Sequence, residues 1–227
     1  MTSADAGDAA TTTDPRPRNR RGDGRRLRGD ILAAAAQLLD ETGDEQAVTL
    51  RAVARRVGIA APSIYSHFPD RQAILLAIVR DAFAELAAQL TDAEAVAAAD
   101  PVSRLRAICA AYLHFAAARP QRYRIMFGGL WSAADALQDA ALTPADAAEL
   151  GQEALRVLAG SLAACVEADR STSTNPYADA VALWLGLHGL AHQRALATSF
   201  PWPADVTDRL IDPLARLRPV ATKKRSR

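Results

Sequence analysis

Cysteine is nearly absent: the 227 residues hold two, Cys109 and Cys165, each in an alanine- and leucine-rich stretch without a second metal ligand nearby. No zinc site is therefore expected, and both thiols read as small buried side chains of a reducing compartment. No apolar run approaches the roughly 18 residues of a membrane span, and residues 1–14 lack the apolar centre of a secretion signal. A soluble cytoplasmic protein with no membrane contact is the expectation. Alternating β-branched stretches are missing too, so nothing announces a sheet. No internal repeat occurs. No Ser/His/Asp or Cys/His set, phosphate-binding glycine loop or acidic pair stands at a spacing that chemistry could use. That argues against an enzyme and against a bound cofactor.

Half of the chain is apolar, enough for one or two domains with real cores. The formal charge of +1 hides an asymmetry. From Arg16 to Arg71 eleven arginines face seven acids, whereas from Ile74 to Val220 twelve arginines face sixteen acids. The last five residues, KKRSR, are basic again. A basic front on an acidic body suggests that one end meets a polyanion, although a swing this small is also compatible with ordinary surface variation.

Alanine, leucine, glutamate and arginine dominate, and the chain reads as all-α beyond a disordered basic arm at 1–24. Caps mark the helices. A first runs about Arg26 to Glu41 and stops near Gly43. A second is capped by Thr49, places Leu50, Val53, Ala54 and Val57 on one face, and ends at Gly58. A third starts around Ala61-Pro62 and ends at Phe68-Pro69; a fourth opens at Asp70. Asp100-Pro101 and Arg119-Pro120 put proline in a first turn, where its missing N–H costs nothing. Thr143-Pro144 predicts one long helix to about Asp169, Asn175-Pro176 another to about Thr198, and a last helix follows Pro203.

The stretch VGIAAPSIYSHFPDR, residues 57–71, gathers a glycine, two prolines, two serines, a tyrosine and a histidine. Two short helices around Gly58 make a helix-turn-helix. Ile64 and Phe68, four apart, face inward, which leaves Ser63, Ser66 and His67 largely outside and Tyr65 at the edge. Those outward residues are of the kind a DNA groove can use.

The run TLRAVARRVGIAAPSIYSHFPDRQAIL, residues 49–75, resembles the TetR family of transcriptional regulators in both order and spacing. The resemblance implies an N-terminal DNA-binding domain at 25–71, a larger helical ligand-binding and dimerisation domain at 72–218, and leaves 219–227 as a basic tail. It implies DNA contacts from Thr49, Arg51, Ala61, Pro62, Ser63, Tyr65, Ser66, His67 and Arg71. Arg51 matches a position where an arginine can fork onto guanine. Tyr65 and His67 look like phosphate contacts, and Arg71 adds charge beside a helix N-terminus. Ala60 and Ala61 depart from more polar family versions, which shifts readout toward thymine methyls and Arg51. Arg55 and Arg56 read as solvated charges, with Arg55 within reach of a phosphate.

Five of the chain's twelve Phe, Trp and Tyr residues fall in YLHFAAARPQRYRIMFGGLW, residues 112–131. Taken singly, each aromatic reads as core. Taken as a cluster, and with the family's larger domain in view, they read as the lining of a cavity for a hydrophobic or aromatic molecule. With WLGLHGLAHQRA at 184–195, this region resembles the WHG type of TetR C-terminal domain. The candidate ligand-binding residues are Tyr112, His114, Phe115, Tyr123, Met126, Phe127, Trp131, Trp184 and His188. His188 and His192 have the i, i+4 spacing of a two-histidine metal site, but HGLAH lacks the glutamate of HExxH and a third ligand, so no metal is expected.

Small residues Ala159, Gly160, Ala163, Ala164, Gly186 and Gly189 recur on the two long helices predicted at 144–169 and 176–198. The segment 181–191 is apolar nearly all round, which is explained if this pair packs against its mate in a homodimer. The sequence thus reads as a dimeric repressor released from double-stranded operator DNA by a small hydrophobic or aromatic effector. An activator of the same fold, and a helical protein-interaction adaptor, are the alternatives left open.

Overall fold

A computed structural model describes residues 23–127, 132, 136–137 and 142–219. All but Asp23 and Gly24 of the expected arm, all but Pro219 of the expected tail, and Trp131 lie outside the described residues. The described chain is helical: α1 (Asp23–Thr42), a 3-10 turn (Glu45–Ala47), α2 (Leu50–Val57), α3 (Ala61–Ile64), α4 (Arg71–Val96), α5 (Pro101–Ala118), α6 (Pro120–Phe127), α7 (Pro144–Glu149), α8 (Gln152–Glu167), α9 (Pro176–Leu196) and α10 (Val206–Leu214).

Five helix starts are explained by one local hydrogen bond each. Thr49, Asp70, Asp100, Thr143 and Asn175 each accept from a backbone N–H three residues on. Such a bond satisfies one of the donors a helix leaves orphaned, and losing one typically costs about 1 kcal/mol. At Thr143 the cap is reciprocal, with the Asp146 side chain reaching back to the Thr143 N–H.

Two apolar cores form along this frame. The first holds Ile31, Ala35 and Leu39 of α1, spaced four apart, with Val53, Ile64, Phe68 and the α4 run Ile74–Val79. The second begins on the same helix at Ala82, Leu86 and Leu90 and takes in α5, α8, α9 and Ile211 of α10. At 26 residues, α4 is roughly 39 Å long at 1.5 Å per residue. That is long enough to serve both cores. Helix α6 does the same over eight residues: Ile125 is buried in the first core, Tyr123 and Met126 in the second.

The single helix expected from Thr143 to about Asp169 is broken. Its first piece, α7, lays Ala147 and Leu150 on the first core, with Asp146 3.2 Å from Arg80 of α4. Its second piece, α8, belongs to the second core. A straight helix cannot do both, so the chain turns at Gly151, whose φ of +78° suits glycine. Phe83 of α4 fills the corner: a Cβ on residue 151 would fall 2.9 Å from its ring.

The 170–175 loop holds the C-terminal segment against α9. Ser171 Oγ donates to the Ala215 carbonyl at 2.7 Å, and Asp179 accepts from both Ser173 Oγ and Arg216 Nε. Helix α10 sits directly on α9, because a Cβ on Gly186 would come within 2.7 Å of the Leu214 side chain.

Candidate nucleic-acid interface and ligand cavity

The turn between α2 and α3 is made by Gly58 at φ +77°, whose N–H faces the Ala54 and Arg55 carbonyls while the Ile59 N–H donates to Ala54 O at 3.0 Å. Helix α3 is shorter than expected: α-helical geometry ends at Ile64, and the chain closes through turns in which the His67 and Phe68 N–H groups both donate to Ile64 O at 2.9 Å. The anchors are those expected, Ile64 and Phe68, both essentially inaccessible. Burying each contributes about 1.5–3 kcal/mol. Arg28 of α1 lies over the Phe68 ring, 4.4 Å from its centroid, which adds a cation–π contact under the recognition turn.

With these anchors in place, Thr49, Arg51, Pro62, Ser63, Tyr65 and Ser66 are exposed, and Ala61 and His67 are half-buried beside them. Tyr65 keeps 53% of its surface accessible. Ser66 Oγ donates to Ser63 O at 2.9 Å, which holds the exposed turn closed. Among the described residues Arg51 has no polar partner, so its guanidinium fork is free. Arg56 differs: it forms a two-pronged ion pair with Glu41 of α1 and points across the domain rather than outward. The Glu41 carboxyl is held below its ordinary range by that arginine.

Arg71 stands apart from the other expected DNA contacts. It is half-buried, and its guanidinium donates to two backbone carbonyls, Glu45 at 2.6 Å and Val48 at 3.2 Å. It ties the start of α4 to the 3-10 turn before α2. No sequence pattern announced this, since the carbonyls lie more than twenty residues upstream. The first turn of α1 also adjoins the recognition turn: a Cβ on Gly24 would lie 4.0 Å from His67 Cε1.

A cavity of about 260 Å³ opens inside the second core. Three of the nine expected ligand residues border it: Tyr112 of α5, Phe127 of α6 and Trp184 of α9. Tyr123 and His188 stand behind this wall. The Tyr112 hydroxyl is 3.1 Å from the Tyr123 hydroxyl, which is 2.7 Å from His188 Nδ1, so the three make one hydrogen-bonded chain. Rings continue it, with Phe127 5.0 Å from Tyr123 and 4.9 Å from His188, centroid to centroid.

Burial raises the Tyr112 hydroxyl to about 12, against a smaller opposing effect of its hydrogen bonds, and raises Tyr123 further. Burial, reinforced by the neighbouring His192, lowers His188 below its ordinary value. All three groups are consequently neutral near pH 7.

Three further expected residues, His114, Phe115 and Met126, do not border the cavity. Phe115 and Met126 are buried in the second core, and His114 is exposed on α5. The residues that the sequence did not reveal include Phe83, Leu86 and Leu90 of α4, Ala154, Leu155 and Leu158 of α8, Ile108 of α5 and Leu187 of α9. Each was legible as helical and apolar. Only the crossing of the helices separates lining from core. The thiols are inert packing groups, burial raising Cys109 to about 12 and Cys165 to about 11.

The two regions share α4 and α6, and charge joins them. Arg122 of α6, 17% exposed, pairs with Glu85 and with Asp81 (3.6 Å) on α4, and reaches Asp40 on α1 at 3.4 Å. Arg119 adds a contact to Glu85 at 3.2 Å.

Residues 31–78 match the family described as bacterial regulatory proteins, tetR family, and residues 105–217 match the tetracyclin repressor-like C-terminal domain. A nucleoid occlusion factor, SlmA of Photobacterium profundum, is 32% identical over 104 residues, 44% of this chain and 51% of that protein. The HTH-type transcriptional regulator BetI of Burkholderia ambifaria is 36% identical over 84 residues, 37% of this chain and 43% of that protein. The chain therefore spans about half the length of the curated relatives it matches. A solved structure of a protein of unknown function from Rhodococcus sp. RHA1 superposes with a TM-score of 0.70 at 26% identity, covering 84% of this chain and 94% of that one.

Proposed function

The chain belongs to the TetR family of DNA-binding transcriptional regulators, and from that premise we propose that it is a dimeric repressor whose hold on its operator is released by a small hydrophobic effector. The observation that carries the reading is the sharing of two helices. Helix α4 begins directly after the recognition turn and ends beyond the cavity, and α6 contributes Ile125 to one core and Phe127 to the cavity wall.

On the DNA side, Arg51 is the candidate base reader. Thr49, Ser63, Tyr65, Ser66 and His67 are candidate phosphate or groove contacts, and Ala61 and Pro62 offer apolar surface to thymine methyls. Arg71 acts by positioning α2 and α4 rather than by touching DNA. A dimer presents two such surfaces to half-sites roughly 34 Å apart, or a multiple of the helical turn.

The dimer face is the outer side of α8 and α9. Leu185 is 55% exposed there, and a Cβ on Gly160 or Gly189 would meet nothing within 4 Å. Those glycines leave room for a mate's helices to approach closely. Gly186 has a different use, since α10 already occupies the space above it.

Release follows from differential affinity. An effector between α4, α5, α8 and α9 displaces Phe83 and Phe127, and α4 and α6 carry that shift to the first core. The Arg122 ion pairs make α1, α4 and α6 move together.

The test is to incubate the full chain with sheared genomic DNA of its source and sequence the bound fragments. Enrichment of a few palindromic sites, lost as salt rises, supports a specific regulator. Release of those fragments by a small-molecule extract of the source cells supports the effector. Folded protein that enriches no site removes the operator reading. Enriched fragments that no extract releases remove the effector reading.

A further inference from the structure

The cavity and its mouth carry different charges, and together they select a ligand class. Among the described residues no charged side chain borders the 260 Å³ cavity; the polar groups there are the Tyr112 hydroxyl, the Trp184 indole N–H and the Gln152 amide. An ion entering it would lose its hydration without a counter-charge, which disfavours charged ligands there. Outside, a groove shares Phe83, Leu150 and Gly151 with the cavity, and among the described residues that line it are the acids Asp92, Asp146, Glu149 and Glu153 and one base, Arg80. Arg80 is already paired with Asp146, and Glu153 is paired with Arg156. The approach is therefore anionic and the interior neutral.

Size narrows the class further. An apolar cavity of about 150 Å³ takes up benzene, and pockets for drug-sized ligands run from about 300 Å³ upward. The space here lies between the two.

We propose that the effector is an uncharged molecule of one or two rings, or of equal bulk, with a single hydrogen-bonding group that meets Tyr112, and that carboxylates and other anions are excluded at the mouth. The proposal rests on the effector reading above and adds its chemistry. Tyr112 supplies either a donor or a lone pair, because the Tyr112–Tyr123–His188 chain can run in either direction according to the tautomer of His188. The four aromatic side chains Phe83, Tyr112, Phe127 and Trp184 supply ring faces for the apolar part.

The experiment is calorimetric titration of the full chain at pH 7 with three probes on one frame: 2-naphthol, 2-naphthoate and 2-naphthylmethylammonium. The naphthol is expected to bind at least about tenfold more tightly than either ion, because it alone enters without desolvating a charge. The filling variants Ala154→Leu and Leu155→Phe, each checked for an unchanged fold by circular dichroism, should weaken the naphthol. Tyr112→Phe should weaken naphthol binding several-fold, because the hydroxyl that meets its polar group is gone. Glu149→Lys with Glu153→Lys should raise naphthoate affinity several-fold and leave naphthol unaltered.

Naphthoate or the ammonium binding as tightly as naphthol would overturn the proposal. So would the absence of binding by all three. In that last case, release of operator fragments by cell extract shows that only the ligand class is wrong, whereas no release shows that the effector reading itself has failed.

Discussion

Ile125 and Phe127, two residues apart on α6, serve different parts of the molecule: Ile125 is completely buried in the core beneath the recognition turn, and Phe127 borders the cavity of the second core. A side chain that moves Phe127 thus acts on a helix already wedged into the DNA-binding head. Ile125→Ala should destabilise the chain by about 2–5 kcal/mol, as deletions in a tight core do. Chemical denaturation checks this. The variant should also respond less to effector at equal occupancy, since its contact with the first core is gone.

Arg122→Ala tests the electrostatic joint. Its guanidinium is largely shielded, but its partners Asp81 and Asp40 are partly solvated, which screens the pairs. A loss of about 1–2 kcal/mol is expected, together with a smaller melting-temperature drop in high salt than in low salt. No salt dependence in that drop would mean that Arg122 acts through its alkyl stem.

Arg51→Ala and Tyr65→Phe should leave folding untouched, because neither side chain is part of a core. On the operator, Arg51→Ala should cost about 1–3 kcal/mol and relax preference at one base position. Tyr65→Phe should cost about 0.5–1.5 kcal/mol equally for all sequences. Fluorescence anisotropy against the enriched operator and a one-base variant separates the two. Binding by both variants at the parent's affinity would contradict the assigned surface.

Gly151→Ala puts a methyl at a φ of +78° and against the edge of Phe83. The backbone strain alone costs about 1–2 kcal/mol. Phe83, which borders the cavity, must also shift, so the variant should melt earlier and bind naphthol with altered affinity. Thermal unfolding with and without naphthol reads both effects.

The His188 imidazole gives a pH dependence of definite sign. Its protonation is disfavoured in the folded state, by burial first and by His192 second, relative to an ordinary value of 6.5. Below pH 6.5 the unfolded chain takes up a proton that the folded chain resists, so this contribution is complete above 6.5 and is lost as pH falls. Melting temperature should decline from pH 7.5 to pH 5 more steeply in the parent than in His188→Phe. Equal slopes would assign the acid sensitivity to carboxylates instead.

Much of the DNA-binding head is legible in the sequence because its determinants are local. Thr49, Gly58 and Asp70 each act within four residues, and Ile64 with Phe68 declares the inward face by spacing alone. The C-terminal domain is less legible. The YLHFAAARPQRYRIMF stretch lies in and around the second core, yet His114 is exposed, Phe115 and Met126 are core, and nothing in the α4 and α8 patterns distinguishes the residues that border the cavity. An apolar residue looks the same in sequence whether it packs against a neighbour or borders a space.

Arg71 and Gly151 mark the same boundary. An arginine after a proline-aspartate turn reads as free positive charge until the Glu45 and Val48 carbonyls arrive from another element. A glycine inside a helical pattern reads as tolerable until Phe83 and two separate cores demand a bend. Helix positions, caps and the recognition motif were determined by the sequence itself, because hydrogen bonds over three or four residues and a 3.6-residue period need no distant partner. The cavity, the chain from Tyr112 to His188 and the joint at Arg122 were decided only by tertiary structure, because each depends on groups far apart in sequence that meet when the helices cross.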